Sequence, residues 1–166
     1  MHILQNTRLT PGMVFITNLL SPASLPFFAA ALTIWFVAKK QITKVALIFF
    51  GLAGGLLLEF ALKIMVGRPR PPFGMIKETD YSFPSGHATL AAVFFLLLIY
   101  LFKDSFKNSV LRVLFIFVNV LFCALVGFSR LYLGVHWFSD VIAGYILGVL
   151  WFLLLVRVLP KKSKAG

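Results

Sequence analysis

Runs of Leu, Phe, Val and Ile, separated by short polar connections, divide this chain into five stretches of nearly membrane-spanning length or more. They lie at about residues 20–38, 45–62, 85–102, 110–128 and 138–159. A transmembrane helix needs about 20 mainly apolar residues, so the pattern predicts an all-α, integral membrane bundle of about five transmembrane helices. Residues 9–19 are apolar but too short to span, and the Pro and Gly residues around them favour a short N-terminal interfacial helix.

Composition supports the membrane class. The 166 residues are 60% hydrophobic, and the mean hydropathy is +0.96. A soluble domain of this composition would expose far too much apolar surface. We find no internal repeat, low-complexity tract or linker, so we expect one domain over residues 1–166.

Basic residues predict the orientation. Ten of the 16 basic residues lie in the connections and the tail that carry no polar motif: Lys39, Lys40, Lys44, Lys103, Lys107, Arg112, Arg157, Lys161, Lys162 and Lys164. Because Lys and Arg accumulate in cytoplasmic loops, we expect the motifs to face outward from the cell membrane. The net charge of +11 therefore reflects topology, and no basic stripe with interleaved aromatic residues indicates nucleic-acid binding.

The first polar motif follows the second span and carries Lys63, Arg68 and Arg70. A guanidinium fits two phosphate oxygens, and a lysine supplies a point charge. Glu59, one helical turn before Lys63, is expected to pair with it. The structural alternative is that Lys63 and Arg68 only extend to the membrane interface, which suits Arg68 better than Lys63.

The second motif, Pro84-Ser85-Gly86-His87, opens the third span. A helix N-terminus attracts anions through its free N–H groups. Gly86 allows a ligand to approach closely, and the Ser85 hydroxyl can cap the helix or donate to a phosphate oxygen. His87 is a candidate general acid. Taken alone, the motif is also compatible with an ordinary helix start.

The third motif contains Arg130, His136 and Asp140. His136 and Asp140 are four residues apart, so on a helix they share a face, and the carboxylate can orient the imidazole as a nucleophile. Arg130 is a candidate third phosphate ligand. His136 could equally be a residue of the interfacial belt. Because spans three and four lead across the membrane and back, all three motifs should emerge on one face.

In this order, Lys-x6-Arg-Pro, Pro-Ser-Gly-His and Ser-Arg-x5-His-x3-Asp resemble the signature of the type 2 phosphatidic acid phosphatase superfamily. This family includes membrane lipid phosphatases and soluble vanadium-dependent haloperoxidases. The match covers residues 62–148, and every fixed position is filled. The resemblance implies a phosphate site formed by Lys63, Arg70, Ser85, Gly86 and Arg130. It also implies that His87 protonates the leaving group, His136 forms a phosphohistidine and Asp140 orients it, with no metal or other cofactor.

The chain departs from the family at its beginning. Membrane members usually have six spans with both termini in the cytoplasm, whereas the pattern of apolar runs predicts that this chain lacks the first span. Residues 9–19 resemble the helix that normally follows it. Five spans would leave the N-terminus outside the cytoplasm.

The resemblance and the outward-facing site imply that the substrate is a lipid phosphate whose tail stays in the bilayer. Candidates are undecaprenyl diphosphate, phosphatidylglycerol phosphate and phosphatidic acid, with the loop at residues 73–83 bordering the head group. A small-molecule phosphatase is an alternative. So is a catalytically silent lipid-binding or transport component, although binding alone would need neither histidine. Vanadate-dependent halide oxidation fits the hydrophobic spans poorly.

Overall fold

The computed structural model describes residues 8–19, 21 and 23–159. Within this part the chain forms six α-helices and a short 3₁₀ turn, Lys103–Ser105. The helices are α1 (Thr10–Leu19), α2 (Leu25–Ala38), α3 (Ile42–Val66), α4 (Gly86–Phe102), α5 (Ser109–Tyr132) and α6 (Phe138–Val158). The predicted all-helical membrane bundle is confirmed, as is the short helix before the first span.

Among the described residues, four helices are long and apolar enough to cross a membrane: α3, α4 (counted with its 3₁₀ turn), α5 and α6. Helix α2 is apolar but has only 14 residues, or about 21 Å at 1.5 Å per residue. The first predicted span is therefore shorter than expected. It begins at Leu25, where Pro26 occupies the first turn, a position that tolerates proline because its missing N–H is not needed there. The described part of the chain thus has four long apolar helices and the shorter α2, as expected for a multi-pass membrane protein.

Helix α4 lies at the centre of the bundle, against α3, α5 and α6. Its closest partner is α6, which presents Gly144 and Gly148 to it. A Cβ atom on Gly148 would come within 2.6 Å of the Thr89 carbonyl oxygen, and one on Gly144 within 2.6 Å of the Ser85 carbonyl oxygen. Small residues let membrane helices pack this closely. The contact brings the start of α4 next to the start of α6.

The apolar core lies between α3, α4 and α6 and includes Ile48, Val93 and Leu97. The outer faces of α3 and α5 expose large apolar side chains instead, such as Leu57 and Phe117. An apolar outer surface suits helices that face lipid.

All three motifs lie at one end of the bundle. The end of α3, the loop at residues 67–85, the start of α4, the end of α5 and the start of α6 meet there. The connections at residues 39–41 and 103–108 lie at the opposite end. The predicted basic tail at Lys161, Lys162 and Lys164 is outside the described residues, as are residues 1–7, so the structure does not describe these parts of the topology.

Candidate active site

Lys63 lies in the last turn of α3 and is buried together with Glu59. Their side chains form the predicted i,i+4 ion pair, with 2.8 Å between Nζ and Oε1. The helix ends at Gly67, which has a φ of +61° and donates its N–H to the Lys63 carbonyl at 3.0 Å. This left-handed conformation favours glycine. It turns the chain sharply so that the arginines of the following loop lie over the bundle end.

Arg70 connects that loop to the loop before α6. Its Nη1 donates to the Val135 carbonyl at 2.9 Å and lies 3.2 Å from Nε2 of His136. Its Nε donates to the Asp80 carbonyl at 2.9 Å. The guanidinium is therefore fixed beside the histidine that the sequence analysis assigned as nucleophile.

The loop at residues 73–83 supplies carboxylates to the candidate phosphate ligands. Asp80 forms ion pairs with both Lys63 and Arg70, and Glu78 pairs with Arg130. Burial alone would raise the pKa of Asp80, but the hydrogen bonds from Lys63 and Arg70 outweigh it and lower the pKa to about 2. The sequence predicts this loop only at the border of the head-group pocket. A sequence signal existed, because the chain has only five acidic residues, and four of them lie at this site: Glu59, Glu78, Asp80 and Asp140.

Arg130 comes from the end of α5, where its side chain is only 1% exposed. Its Nη1 donates to Oγ1 of Thr17 at 2.9 Å. Thr17 belongs to α1 and is itself buried. The sequence predicts α1 only as a short interfacial helix, and in the structure it also supports one of the three cationic phosphate-ligand candidates.

Ser85 and Gly86 form the start of α4. The Ser85 N–H donates to the Asp140 carbonyl at 3.0 Å, which ties α4 to α6. The buried Ser85 hydroxyl does not cap the helix and has no hydrogen-bond partner among the described residues. A Cβ atom on Gly86 would lie 2.8 Å from Oε1 of Glu59, so the glycine here leaves room for that carboxylate. The free hydroxyl therefore matches a phosphate donor better than a cap.

His87 follows in the first turn of α4 and is partly buried. It lies within electrostatic range of Arg130, His136, Lys63 and Arg70. The two candidate catalytic histidines therefore share one cationic pocket.

His136 lies in the loop before α6, which begins at Phe138. This corrects the expectation that His136 and Asp140 share a helical face. The two side chains still meet, with 3.6 Å between Nδ1 and Oδ2, an ion-pair distance longer than a hydrogen bond. The same Oδ2 accepts the N–H of Trp137 at 2.9 Å, so the helix cap holds the carboxylate. Burial lowers the pKa of His136; Asp140 opposes this shift, whereas the charges of Arg70 and Arg130 add to it.

Arg68 contacts Asp140 from the other side. Its Nη1 lies 2.8 Å from Oδ1 of Asp140 and donates to Oγ of Ser139 at 2.7 Å. The interpretation of Arg68 as an interfacial side chain is therefore wrong. Spacing along the chain could not have revealed this pair, because its partners are separated by 72 residues.

The arrangement can bind and attack an anion. Arg70 lies 3.2 Å from Nε2 of His136, and burial together with the charges of Arg70 and Arg130 favours the neutral imidazole. Lys63 acts on the neighbouring His87, and the start of α4 adds a Ser85 hydroxyl that has no partner among the described residues. Nδ1 faces a carboxylate, which suits the tautomer with a proton on Nδ1 and a lone pair on Nε2. These are the requirements of a histidine nucleophile acting on a phosphate.

Comparison with known proteins agrees with the signature in the sequence. The family profile of the PAP2 superfamily matches residues 44–164. Phosphatidylglycerophosphatase B of Bacillus subtilis is 38% identical over 111 residues, which are 65% of this chain and 54% of that protein. The undecaprenyl-diphosphatase BcrC of Bacillus subtilis is 28% identical over 160 residues, which are 92% of this chain and 76% of that protein.

The fold is also similar to a solved structure. The crystal structure of a transmembrane PAP2-type phosphatidylglycerolphosphate phosphatase from Bacillus subtilis has a TM-score of 0.85 and 30% identity. The match covers 97% of this chain and 81% of that one. Against the curated relatives the coverage is lower, and the chain spans about half the length of several that it matches.

Proposed function

This chain belongs to the PAP2 superfamily, and from that premise we propose that it is a membrane lipid phosphatase. It removes the terminal phosphate from a lipid phosphate or diphosphate through a phosphohistidine on His136. The observation that carries this proposal is the position of His136, with Nε2 3.2 Å from the Arg70 guanidinium and Nδ1 3.6 Å from Asp140. A histidine that only anchored the protein at the interface would need neither partner.

The first chemical step forms the phosphoenzyme. Nε2 of His136 attacks phosphorus with its lone pair, and the bond between phosphorus and the lipid oxygen breaks. His87 gives its proton to that oxygen. The leaving group is therefore the lipid alcohol or, from a diphosphate, the lipid monophosphate. Asp140 stabilises the positive charge that develops on the imidazole.

The second step releases phosphate. His87, now without its proton, takes one from a water molecule, whose oxygen attacks phosphorus and breaks the bond to Nε2. Inorganic phosphate leaves, and His136 and His87 return to their initial states. The protein supplies charge stabilisation in both steps through Lys63, Arg70 and Arg130.

Substrate binding requires an exchange of anions. Asp80 and Glu78 pair with the three cations, so a phosphate must replace these carboxylates as it enters. The buried hydroxyl of Ser85 and the N–H groups of Gly86 and the first turn of α4 add donors to the incoming oxygens. The cations then serve the substrate without a metal ion, which is part of the proposal.

The substrate is proposed to be a lipid because the site lies at one end of a bundle with apolar outer faces. A phosphate head group can reach the cations there while its tail stays in the bilayer. Relatives are named for phosphatidylglycerophosphate and undecaprenyl diphosphate, and both compounds, with phosphatidic acid, are candidates. The distribution of basic residues supports an extracytoplasmic site in the cell membrane.

The test is phosphate release from these three lipids by the purified protein in detergent with EDTA. We expect turnover of at least one lipid, and His136→Ala should lower kcat by several orders of magnitude. Binding of inorganic phosphate should persist in His136→Ala and so report an intact fold. Phosphate binding without turnover of any phosphate ester would instead indicate the catalytically silent component. Turnover of water-soluble esters alone would indicate a small-molecule phosphatase.

A further inference from the structure

Arg68 is a fourth cation at the site, and it pairs with none of the loop carboxylates that occupy the other three. Resting on the proposed function, we propose that Arg68 is a positioning residue that holds Asp140, and through it the His136 imidazole, in the attacking orientation. It lies among the six unspecified positions between Lys63 and Arg70 of the first motif.

The two carboxylate oxygens of Asp140 have different partners. Oδ1 receives Nη1 of Arg68 at 2.8 Å. Oδ2 accepts the Trp137 N–H at 2.9 Å and faces Nδ1 of His136 at 3.6 Å. With Oδ1 fixed by the guanidinium, the carboxylate cannot rotate to present a different oxygen to the imidazole. Arg68 and the Trp137 N–H together therefore fix which oxygen faces His136.

The guanidinium is itself held in place. It stacks over Trp137, with 5.5 Å between Cζ and the ring centroid, and Nη1 also donates to Oγ of Ser139 at 2.7 Å. The indole Nε1 donates to the carbonyl of Pro69, the residue next to Arg68, at 3.1 Å. These contacts join the loop after α3 to the N-terminus of α6. A side chain that merely extended to the interface would not contact three residues at the start of α6.

Charge explains why Asp140 needs this partner. Its side chain is 0% exposed, whereas that of Arg68 is 35% exposed. A buried carboxylate without a cation recruits a proton, either onto itself or onto its neighbour. The groups facing His136 are Arg70 from the loop after α3, His87 from α4, Arg130 from α5 and Asp140 from α6. Without Arg68, the charge of Asp140 would act on His136 uncompensated and would favour its protonated, non-nucleophilic form.

The first test is kinetic and compares Arg68→Gln and Arg68→Lys with wild type. Loss of a residue that orients a metal-bound side chain typically costs about 10- to 100-fold in activity. We expect a similar cost for a residue that orients a catalytic histidine. We expect Arg68→Gln to lower kcat by this factor with KM changed less than about 3-fold, since a positioning residue acts on the chemical step. Arg68→Lys keeps the charge and should recover part of the loss. Arg157→Gln, at the exposed far end of α6, is the matched control and should leave both constants unchanged.

The second test does not depend on turnover. In ¹⁵N-histidine-labelled protein, NMR titration should show that His136 in Arg68→Gln takes up its proton at higher pH than in wild type. The pH below which kcat falls should likewise be higher in Arg68→Gln than in wild type. If Arg68→Gln fails to fold, Ser139→Ala, which leaves the ion pair but removes one of its supports, should show a smaller change of the same sign.

The outcomes separate this inference from the proposed function. Increased KM with unchanged kcat would make Arg68 a phosphate ligand and overturn the inference. Lower thermal stability with an unchanged His136 titration would make it structural, which also overturns it. An altered titration in a protein that hydrolyses no phosphate ester would refute the proposed function while the positioning role of Arg68 stands.

Discussion

Neutralising Asp80 should strengthen the binding of phosphate, although it removes a charged residue from the site. Asp80 forms ion pairs with Lys63 and Arg70, two of the cations that we assign to the phosphate. An incoming phosphate has to replace the carboxylate on both. Asp80→Asn keeps the size of the side chain but removes the charge that competes with the ligand.

The size of the effect follows from the exposure of the competing pairs. The Asp80 side chain is 51% exposed, so each ion pair is partly screened and contributes about 0.2–1 kcal/mol. Two such pairs give about 0.4–2 kcal/mol, which corresponds to roughly 2- to 30-fold tighter binding of phosphate. The low pKa of Asp80, about 2, keeps the carboxylate ionised at every practical assay pH. A change of pH therefore cannot substitute for the mutation.

The measurement is the inhibition constant of inorganic phosphate, together with that of orthovanadate, for wild type and Asp80→Asn under identical conditions. Both constants should fall in the variant. Asp104→Asn, an exposed carboxylate at the opposite end of the bundle, should leave them unchanged. Weaker inhibition in Asp80→Asn would show that the carboxylate positions the cations and does not compete with phosphate for them.

Three further predictions concern packing, charge stabilisation and topology. Gly148→Ala should destabilise the protein by about 1–3 kcal/mol and lower its Tm, because the new Cβ would lie 2.6 Å from a backbone carbonyl oxygen of α4. Gly12→Ala is the control and should leave the Tm unchanged, because a Cβ there has nothing within 4 Å. Hydrolysis should proceed unchanged in EDTA, and a loss that Mg²⁺ restores would contradict a purely protein-based stabilisation of charge. In a cysteine-free background on intact cells, an impermeant thiol reagent should label a cysteine at Lys77 and spare one at Lys40, and the reverse result would turn the site inward.

The helices could be predicted because their signal is local. Apolar runs of sufficient length specify α3 to α6, and the number of crossings between motifs brings them to one end of the bundle. The Glu59–Lys63 pair could be predicted for the same reason, since one helical turn separates its members. The length of α2 was overestimated because hydropathy does not show where a helix starts. Its start at Leu25, with Pro26 in the first turn, made it shorter.

The contacts that complete the site join residues distant in sequence. Arg68 meets Asp140, and Thr17 meets Arg130 across 113 residues. The path of the loop after α3 and the docking of α1 determine these pairs, and no periodicity encodes either. The scarcity of acidic residues was the remaining clue, since three clustered buried or half-buried cations need counter-charges. Glu78 was one of the few residues that could supply one.

In the proposed mechanism His136 accepts the phosphoryl group on Nε2. The most direct measurement uses a lipid phosphate whose terminal phosphate is radiolabelled. The reaction is stopped rapidly during turnover without acid, and the labelled peptide is identified by mass spectrometry. We expect a label that is stable in base and labile in acid, carried by the peptide containing His136 as its Nε2 phosphoramidate and absent from His136→Ala. A label on His87 or on any carboxylate, or full turnover by His136→Ala, would contradict it.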